Sequence, residues 1–561
     1  MLLANYFIGI IEDNITFFYL PRLVKGLIGC TDYFGYPTGF CQNLIIYFQP
    51  ITAITSFLFA KILNPIIAYN IIVIGGLALN SFFSFRFFKK LFGRFISFLL
   101  TLIFLTSPYI SYQSRSHLDL MQFWPVIWFL DTLFFSKSRH KAIFLGLILT
   151  LITGISNYLS YFTILFSVLY LLLKFLFSQS KITLMKGSWR EVIKTLVIFI
   201  LLSGTFMAPY IKSNFFAPRV RFEENIDNKA TNRPFEDFII FSSRPWYYIL
   251  PSVDNPFFGA FSQKILDQLS SGKNYLTQNY FKSEHSASYL GWVNISLALL
   301  GIIMLIRTKQ VSEKPIFYPA LLVTILGLII LTMPPSVTLR GVTFLTPSYV
   351  LFKIFPMFRV LARAGVLILF LVLIFTGFGY ISLENLLVAR KINHKIAQFV
   401  LLALASFSFI EFFVPLKVTH VGTPPKVYSY IGSIGYLKSP IVVYPYNKTT
   451  GALFWFTTHR QPLINPRYYE HKETNFVSEN FTKLLNTTKG LEEARIMGAK
   501  YLVYFYIDDG GKSMNFFENN NLLVHISNFS EEGQEEQSSA FIQIIEAGAD
   551  ATNSAILYKF K

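Results

Sequence analysis

Charge is scarce in this chain and cysteine nearly absent. Only 14% of its 561 residues are charged, where a soluble domain carries roughly 25%. Acid is the scarcer sign, with 31 Asp and Glu against 49 Lys and Arg, a formal net charge of +18. That excess does not point to nucleic acid. The basic residues form no single patch and accompany no recognition motif; they sit in short clusters between apolar runs, as orientation signals and headgroup contacts do. The two cysteines, Cys30 and Cys41, either pair in an oxidising compartment or remain free thiols, and no zinc-type Cys/His spacing occurs. There is no Gly-rich phosphate loop, no G-x-S-x-G and no H-E-x-x-H. An Asp-x-Asp pair, the usual metal holder of nucleotide-sugar enzymes, is also missing.

What the chain has is apolar length. It is 53% hydrophobic and 17% aromatic, and its long uncharged runs make it an α-helical polytopic membrane protein. Ten spans are expected, centred on residues 66–85, 95–111, 119–135, 141–156, 157–178, 194–211, 288–306, 316–333, 365–387 and 397–415. The opening MLLANYFIGII is too short to cross a bilayer and lacks the leader pattern of a signal peptide, so a first span is expected upstream of it. If the apolar segment 44–63 does not cross, the basic clusters Arg86–Arg94, Ser136–Lys141, Lys181–Lys194, Arg307–Lys314 and Arg390–Lys395 share one side, which the positive-inside rule makes cytoplasmic. Segment 44–63 is therefore read as a helix lying against the membrane, bent at Pro50. Loops 12–43, 212–287 and 334–364 then face outward, as does the tail.

The tail, residues 417–561, changes character. Short β-like runs (Ile441–Tyr446, Tyr501–Ile507, Leu522–Ile526, Ala555–Phe560) and a helical stretch, Gly490–Gly498, predict a small C-terminal α/β extracytoplasmic domain beside a membrane domain of residues 1–416. His459 is its one notable polar group, read as structural. Four Asn-x-Ser/Thr sequons begin at Asn447, Asn480, Asn486 and Asn528.

The chemically varied residues lie at the outer ends of spans. Loop Glu12–Phe40 holds Glu12 and Asp13 with a Tyr36-Pro37-Thr38-Gly39 turn; a carboxylate at a membrane surface is costly and points to function. Arg115, His117 and Asp119 follow in SPYISYQSRSHLDL, and Glu284 with His285 precede SYLGW. Arg359 and Arg363 sit in FPMFRVLARAG, four residues apart. Each has a plainer role open to it: a solvated loop for Glu12 and Asp13, a cap or carbonyl contact for His117, a helix-dipole charge for Asp119, snorkelling from one helical face for the two arginines. As a pair those arginines would also grip phosphate. Trp246, Tyr247 and Tyr248 either stack on a sugar or pack against the membrane.

In this order, the acidic first loop, YPTG, NPIIAYN, SPY…SHLDL, EHSASYLGW and P-x-F-R-V-L-A-R-A-G resemble the polyprenyl-phosphate-sugar-dependent membrane glycosyltransferases of the GT-C fold, in particular their YfhO-like branch. VVYPYNK…FTTHRQPLINPR…MGAKYLVYFY in the tail resembles the periplasmic domain of that branch. The resemblance covers nearly the whole chain through short motifs. It implies an enzyme of the plasma (inner) membrane with Asp13 as catalytic base, Glu12 being its one-residue alternative. It also implies a polyprenyl-phosphate-linked sugar as donor and a glycan, lipid or protein as acceptor; with Asp-x-Asp missing, no metal or other cofactor is expected, Arg359, Arg363 and Arg115 supplying the charge a cation would. Arg115, His117, Asp119, Glu284, Arg359 and Arg363 would bind substrate. A flippase or transporter and a non-catalytic envelope scaffold remain as alternatives; the spans show neither the internal repeat nor the midplane charges of transporters.

Overall fold

The computed structural model describes residues 6–9, 28–43, 49–177, 181–211, 235–271, 280–308, 318–339, 342–421, 424–434, 438–466, 472–530, 542–546 and 554–561. The chain forms two compact units, one of Phe48–Thr52 and Val73–Pro415, the other of Met1–Tyr47, Ala53–Ile72 and Leu416–Lys561.

All ten apolar stretches are helical: α2 (Pro65–Lys89), α3 and α4 (Arg94–Leu105, Pro108–Ser116), α5 (Trp124–Phe135), α6 (Lys141–Ile155), α7 (Asn157–Phe177), α8 (Lys181–Ile211), α12 (Trp292–Arg307), α13 (Tyr318–Thr332), α15 (Gly365–Ala389) and α16 (His394–Phe412). Among the described residues, five helical stretches are long and apolar enough to cross a membrane, six if α3 and α4 count as one span, bent by 47°. The bend sits before Pro108, which has no N–H to continue the ladder of α3. α5 is only 12 residues long, because residues 119–123 are spent on a turn. Of segment 44–63, residues 44–48 lie outside the described residues and α1 (Pro50–Ile62) takes up nearly all the rest. Pro50 is the first residue of the described helix, as suits a residue whose missing N–H costs nothing in a first turn.

The centre of the helical unit is α15. Every residue from Gly365 to Tyr380 is buried, as befits a helix apolar all round. Phe370 meets the rings of Phe87, Phe88, Phe104 and Phe123. α12 runs alongside α15 in the same direction, and glycine makes the approach possible. A Cβ on Gly379 would lie 1.9 Å from the Leu297 carbonyl oxygen, and one on Gly301 would lie 2.1 Å from that of Phe375. With no side chain between them the two backbones touch. Gly365 repeats the device at the head of α15, where a Cβ would come 2.4 Å from the Ala287 carbonyl oxygen. The lead-in segments of both helices are thereby held together. Among the described residues three smaller helices lie between α8 and α12, namely α9 (Phe235–Ile240), α10 (Gly259–Ser271) and α11 (Lys282–His285), and α14 (Ser348–Ile354) precedes α15.

In the other unit, β7 (Ile441–Tyr444) and β8 (Tyr501–Tyr504) pair in parallel, β11 (Ala555–Phe560) runs antiparallel to β8, and β9 (Leu523–Phe529) closes the order β7-β8-β11-β9. All four strands fall on the β-like runs of the tail. Leu485, Leu491, Leu502, Tyr504, Phe517 and Tyr558 fill the core beside this sheet. A second sheet places β6 (Leu416–His420) between β1 (Tyr6–Ile8) and β10 (Ile542–Glu546), so part of the apolar opening is strand. β2 (Ile28–Thr31) and β3 (Phe40–Asn43) form a hairpin in which Cys30 stands opposite Cys41. Within its connection the Thr38 hydroxyl donates to the Gly35 carbonyl at 2.8 Å, and Gly39 sits at φ +77°. Only glycine enters that region freely.

Candidate functional site

Glu12 and Asp13 lie outside the described residues. The other six sequence candidates are all in the helical unit, and three of them meet.

The meeting point is Arg363, in the 3-10 turn Leu361–Ala364 that leads into α15. Its Nε and Nη2 donate to the two oxygens of Glu284 at 2.9 and 2.7 Å, a bidentate fork, and Nη2 lies 3.4 Å from Nε2 of His117. The guanidinium lies over the Tyr158 ring, 4.7 Å from its centre. Two facing charges this well matched offset the cost of their burial. Among the described residues Nη1 has no hydrogen bond, and the side chain as a whole is 11% exposed.

Each partner is fixed by its own surroundings. Glu284 stands on α11, whose His285 is fully buried: Nδ1 accepts from the Phe281 amide at 2.9 Å, Nε2 donates to the Ile240 carbonyl at 3.0 Å, and the ring stacks on Tyr247. His285 is therefore an anchor, neutral and satisfied on both nitrogens. His117 and Asp119 alternate with Leu118 and Leu120, which are fully buried and pin the turn. Burial, followed by the Arg363 charge, lowers the His117 pKa to about 4.

Asp119 does not begin a helix. α5 starts at Trp124, and the carboxylate accepts from Gln49 Nε2 at 2.6 Å instead. Its burial raises the pKa to about 6, with the Ser156 hydroxyl and the Arg363 charge pulling the other way. Asp119 thus feels Arg363 without a direct bond to it.

Arg359 and Arg363 do not share a helical face. Arg359 lies in the irregular segment before the 3-10 turn, pairs with Asp237 of α9 and covers the Phe241 ring. Arg115 stands apart as well: Nη2 donates to the Pro415 carbonyl, and the guanidinium covers Tyr112 at 4.8 Å. The expected paired grip of two arginines on one phosphate is thus replaced by arginines held separately, each by its own partner.

No family model and no curated protein matches the chain. Among solved structures it is similar to an archaeal oligosaccharyltransferase, AglB from Archaeoglobus fulgidus, in complex with an inhibitory peptide and a dolichol-phosphate. The identity is 9% and the TM-score 0.47, over 89% of this chain and 66% of that one. It is also similar to ArnT from Cupriavidus metallidurans at 12% identity, with TM-scores of 0.37 for the apo state and 0.39 for the form bound to undecaprenyl phosphate. Each ArnT match covers 99% of this chain and 94% of that one.

Sequence reasoning missed several neighbours of the cluster. Tyr112 donates to Asp254 at 2.6 Å, and Lys282 pairs with the other oxygen of that carboxylate at 2.7 Å. Arg244, 1% exposed, donates to the carbonyls of Ser242 and Ile239. Asp237 and Asp254 were legible as acids in the loop facing the arginines; Gln49 and Arg244 carried no signal. Tyr247 and Tyr248 turn inward, against His285 and Thr332. In the other unit, His459 is fully buried, donates from Nε2 to the Ala452 carbonyl and accepts at Nδ1 from Gln461, which is the structural role expected of it.

Proposed function

We propose that the protein is an integral membrane glycosyltransferase of GT-C, YfhO-like type. It transfers a sugar from a polyprenyl-phosphate donor to a glycan, lipid or protein acceptor at the outer face. The observation that carries the reading is Arg363, a guanidinium locked in place at the head of an apolar helix with one edge left open. Glu284 takes the Nε and Nη2 edge and fixes the plane. Nη1 is free to donate to a phosphate oxygen, and the His117 ring closes one side.

Transfer from a lipid phosphate breaks the sugar–phosphate bond. The acceptor hydroxyl attacks the anomeric carbon, its proton passes to a base, and the electrons of the broken bond leave on the phosphate. Arg363 stabilises that departing charge, and because it is already oriented it does so without reorganisation. Asp13 is the base that the sequence resemblance assigns. The paired carboxylate also explains why a lone arginine is tolerated here while no substrate is bound.

The test is glycan transfer in membranes supplied with polyprenyl-phosphate sugars. Asp13→Asn abolishes incorporation while the chain stays folded. Arg363→Lys keeps the charge but loses the fork, and lowers the rate on the order of 100-fold. A fully active Asp13→Asn variant removes the base assignment. No transfer from any donor by the folded wild type removes the enzyme reading.

A further inference from the structure

The ends of the helices that carry the Arg363 cluster also carry two apolar protrusions that no span accounts for. The first is the segment from Ile249 to Phe261. Ile249, Phe257 and Phe261 are 51%, 60% and 51% exposed, although the segment is rigidly tied. Asn255 donates to the carbonyls of Ile410 and Glu411 at the end of α16 and accepts from the amides of Phe257 and Phe258. Trp292, the first residue of α12, donates from its indole to the Ile249 carbonyl at 2.8 Å, and the rings of Phe258 and Phe261 stand edge-on to it.

The second protrusion is the hairpin of β4 (Ser336–Leu339) and β5 (Val342–Leu345). It follows directly on α13, whose last residue, Thr332, is bonded to Tyr248 at 2.5 Å. Every residue of β5 is exposed, Val342, Phe344 and Leu345 among them. A two-stranded hairpin with apolar residues on both faces is marginal in water, so something covers it.

Continuity identifies the cover. On α12 the outward stripe runs from Trp292 through Ser296, Leu299 and Ile303 to Ile306, and Ile249, Phe257 and Phe261 extend it beyond the helix end. On α13 the exposed residues Val323, Leu326 and Ile330 lead to the hairpin in the same way. These stripes are the lipid-facing sides of apolar helices. From Phe257, just before α10, and Phe261 in its first turn, the exposed stripe changes to Lys264 and Gln268 further along the helix, the order expected where an element leaves the acyl boundary and reaches the headgroups.

We propose that segment 249–261 and the β4–β5 hairpin are in-plane anchors seated in the lipid interface. They hold the Arg363 end of the helical unit at headgroup depth, where a lipid-borne phosphate would meet it. The anchoring requires only that the unit spans the membrane and does not depend on the transfer reaction.

Depth is measurable by spin labelling in a Cys30→Ser, Cys41→Ser background reconstituted in phosphatidylcholine–phosphatidylglycerol vesicles. Phe261→Cys and Phe344→Cys labels should collide preferentially with oxygen, which concentrates in lipid, and Gln268→Cys labels with a water-soluble nickel chelate. Labels at 261 and 344 as open to the chelate as those at 268 would overturn the anchoring. So would labels shielded from both reagents, which would mean a protein cover such as a second copy. The unsubstituted chain gives an independent check: a lipid-soluble carbene reagent should label peptides covering 249–261 and 342–345 as well as α12. Labelling confined to α12 would also refute the proposal.

Discussion

A buried ionisable side chain persists only where its neighbours remove the cost of its charge, and the two units do this differently. In the helical unit Arg363 stays charged because Glu284 meets it with two hydrogen bonds. In the other, His459 stays neutral, with the Ala452 carbonyl and the Gln461 amide taking both ring nitrogens. Burial lowers the pKa of His459 to about 4, below the ordinary value of about 6.5. The unfolded chain therefore binds this proton first as pH falls. The stabilisation is complete above about pH 6.5 and is lost on the way down to pH 4, amounting to about 3 kcal/mol at 1.36 kcal/mol per unit. In His459→Gln the difference in unfolding free energy between pH 6.5 and pH 4 should shrink by about that amount, as read from urea unfolding followed by tryptophan fluorescence. An unchanged acid slope would mean that His459 is not held neutral. The structural role of His459 was legible because it sits in a run with no second catalytic group. The separate holding of Arg359 and Arg363 was not, since a spacing of four suggests one helical face only where a helix exists, and here Arg359 lies in an irregular stretch while Arg363 lies in a 3-10 turn.

At the scale of elements, glycine decides whether the Arg363–Glu284 pair forms at all. α12 and α15 run parallel in direct contact, so the turns that lead into them, carrying Glu284 and Arg363, arrive together. Gly379→Val puts side-chain atoms into the Leu297 carbonyl, 1.9 Å from where even a Cβ would sit. Backbone lies on both sides, so neither neighbour can yield by rotating. The helices must separate, at a cost of about 3 kcal/mol, and the variant should melt earlier in detergent and lose transfer with it. Gly75→Ala is the control: nothing lies within 4 Å of its Cβ position, and melting should be unchanged or slightly raised. Equal melting of Gly379→Val and wild type would show that the two helices do not pack this closely. Which apolar stretches become helices was plain from their length and lack of charge. Where they break was harder to read, because hydropathy averages over residues while a break depends on one missing amide hydrogen, as at Pro108, or on a turn such as 119–123 that consumes apolar residues without making helix.

At the scale of the molecule, the cluster is assembled from positions far apart in sequence: His117 and Arg363 are 246 residues apart, Glu284 and Arg363 are 79. Periodicity and local motifs report on neighbours within a turn or two, so the candidates could be named one by one while their meeting could not. The distribution of charge was legible, because it depends only on counting along the chain. Three of the five basic clusters fall at junctions between helices: Arg86–Arg94 between α2 and α3, Ser136–Lys141 between α5 and α6, Arg390–Lys395 between α15 and α16; Lys181–Lys194 instead forms the first part of α8. Lys90 pairs with Asp131 near the end of α5, and Lys141 donates to the Leu133 carbonyl, so two of these junctions lie at one end of the helical unit. Arg363, Glu284 and His117 lie at the opposite ends of their helices. A membrane that keeps Lys and Arg on its cytoplasmic side then puts the cluster outside. In a Cys30→Ser, Cys41→Ser chain, a thiol from Ser138→Cys should react with a membrane-impermeant maleimide only after the cells are opened, while one from Gln268→Cys should react in intact cells. The reverse pattern would turn the Arg363 cluster toward the cytoplasm, and an outer-face transfer reaction would have to be abandoned with it.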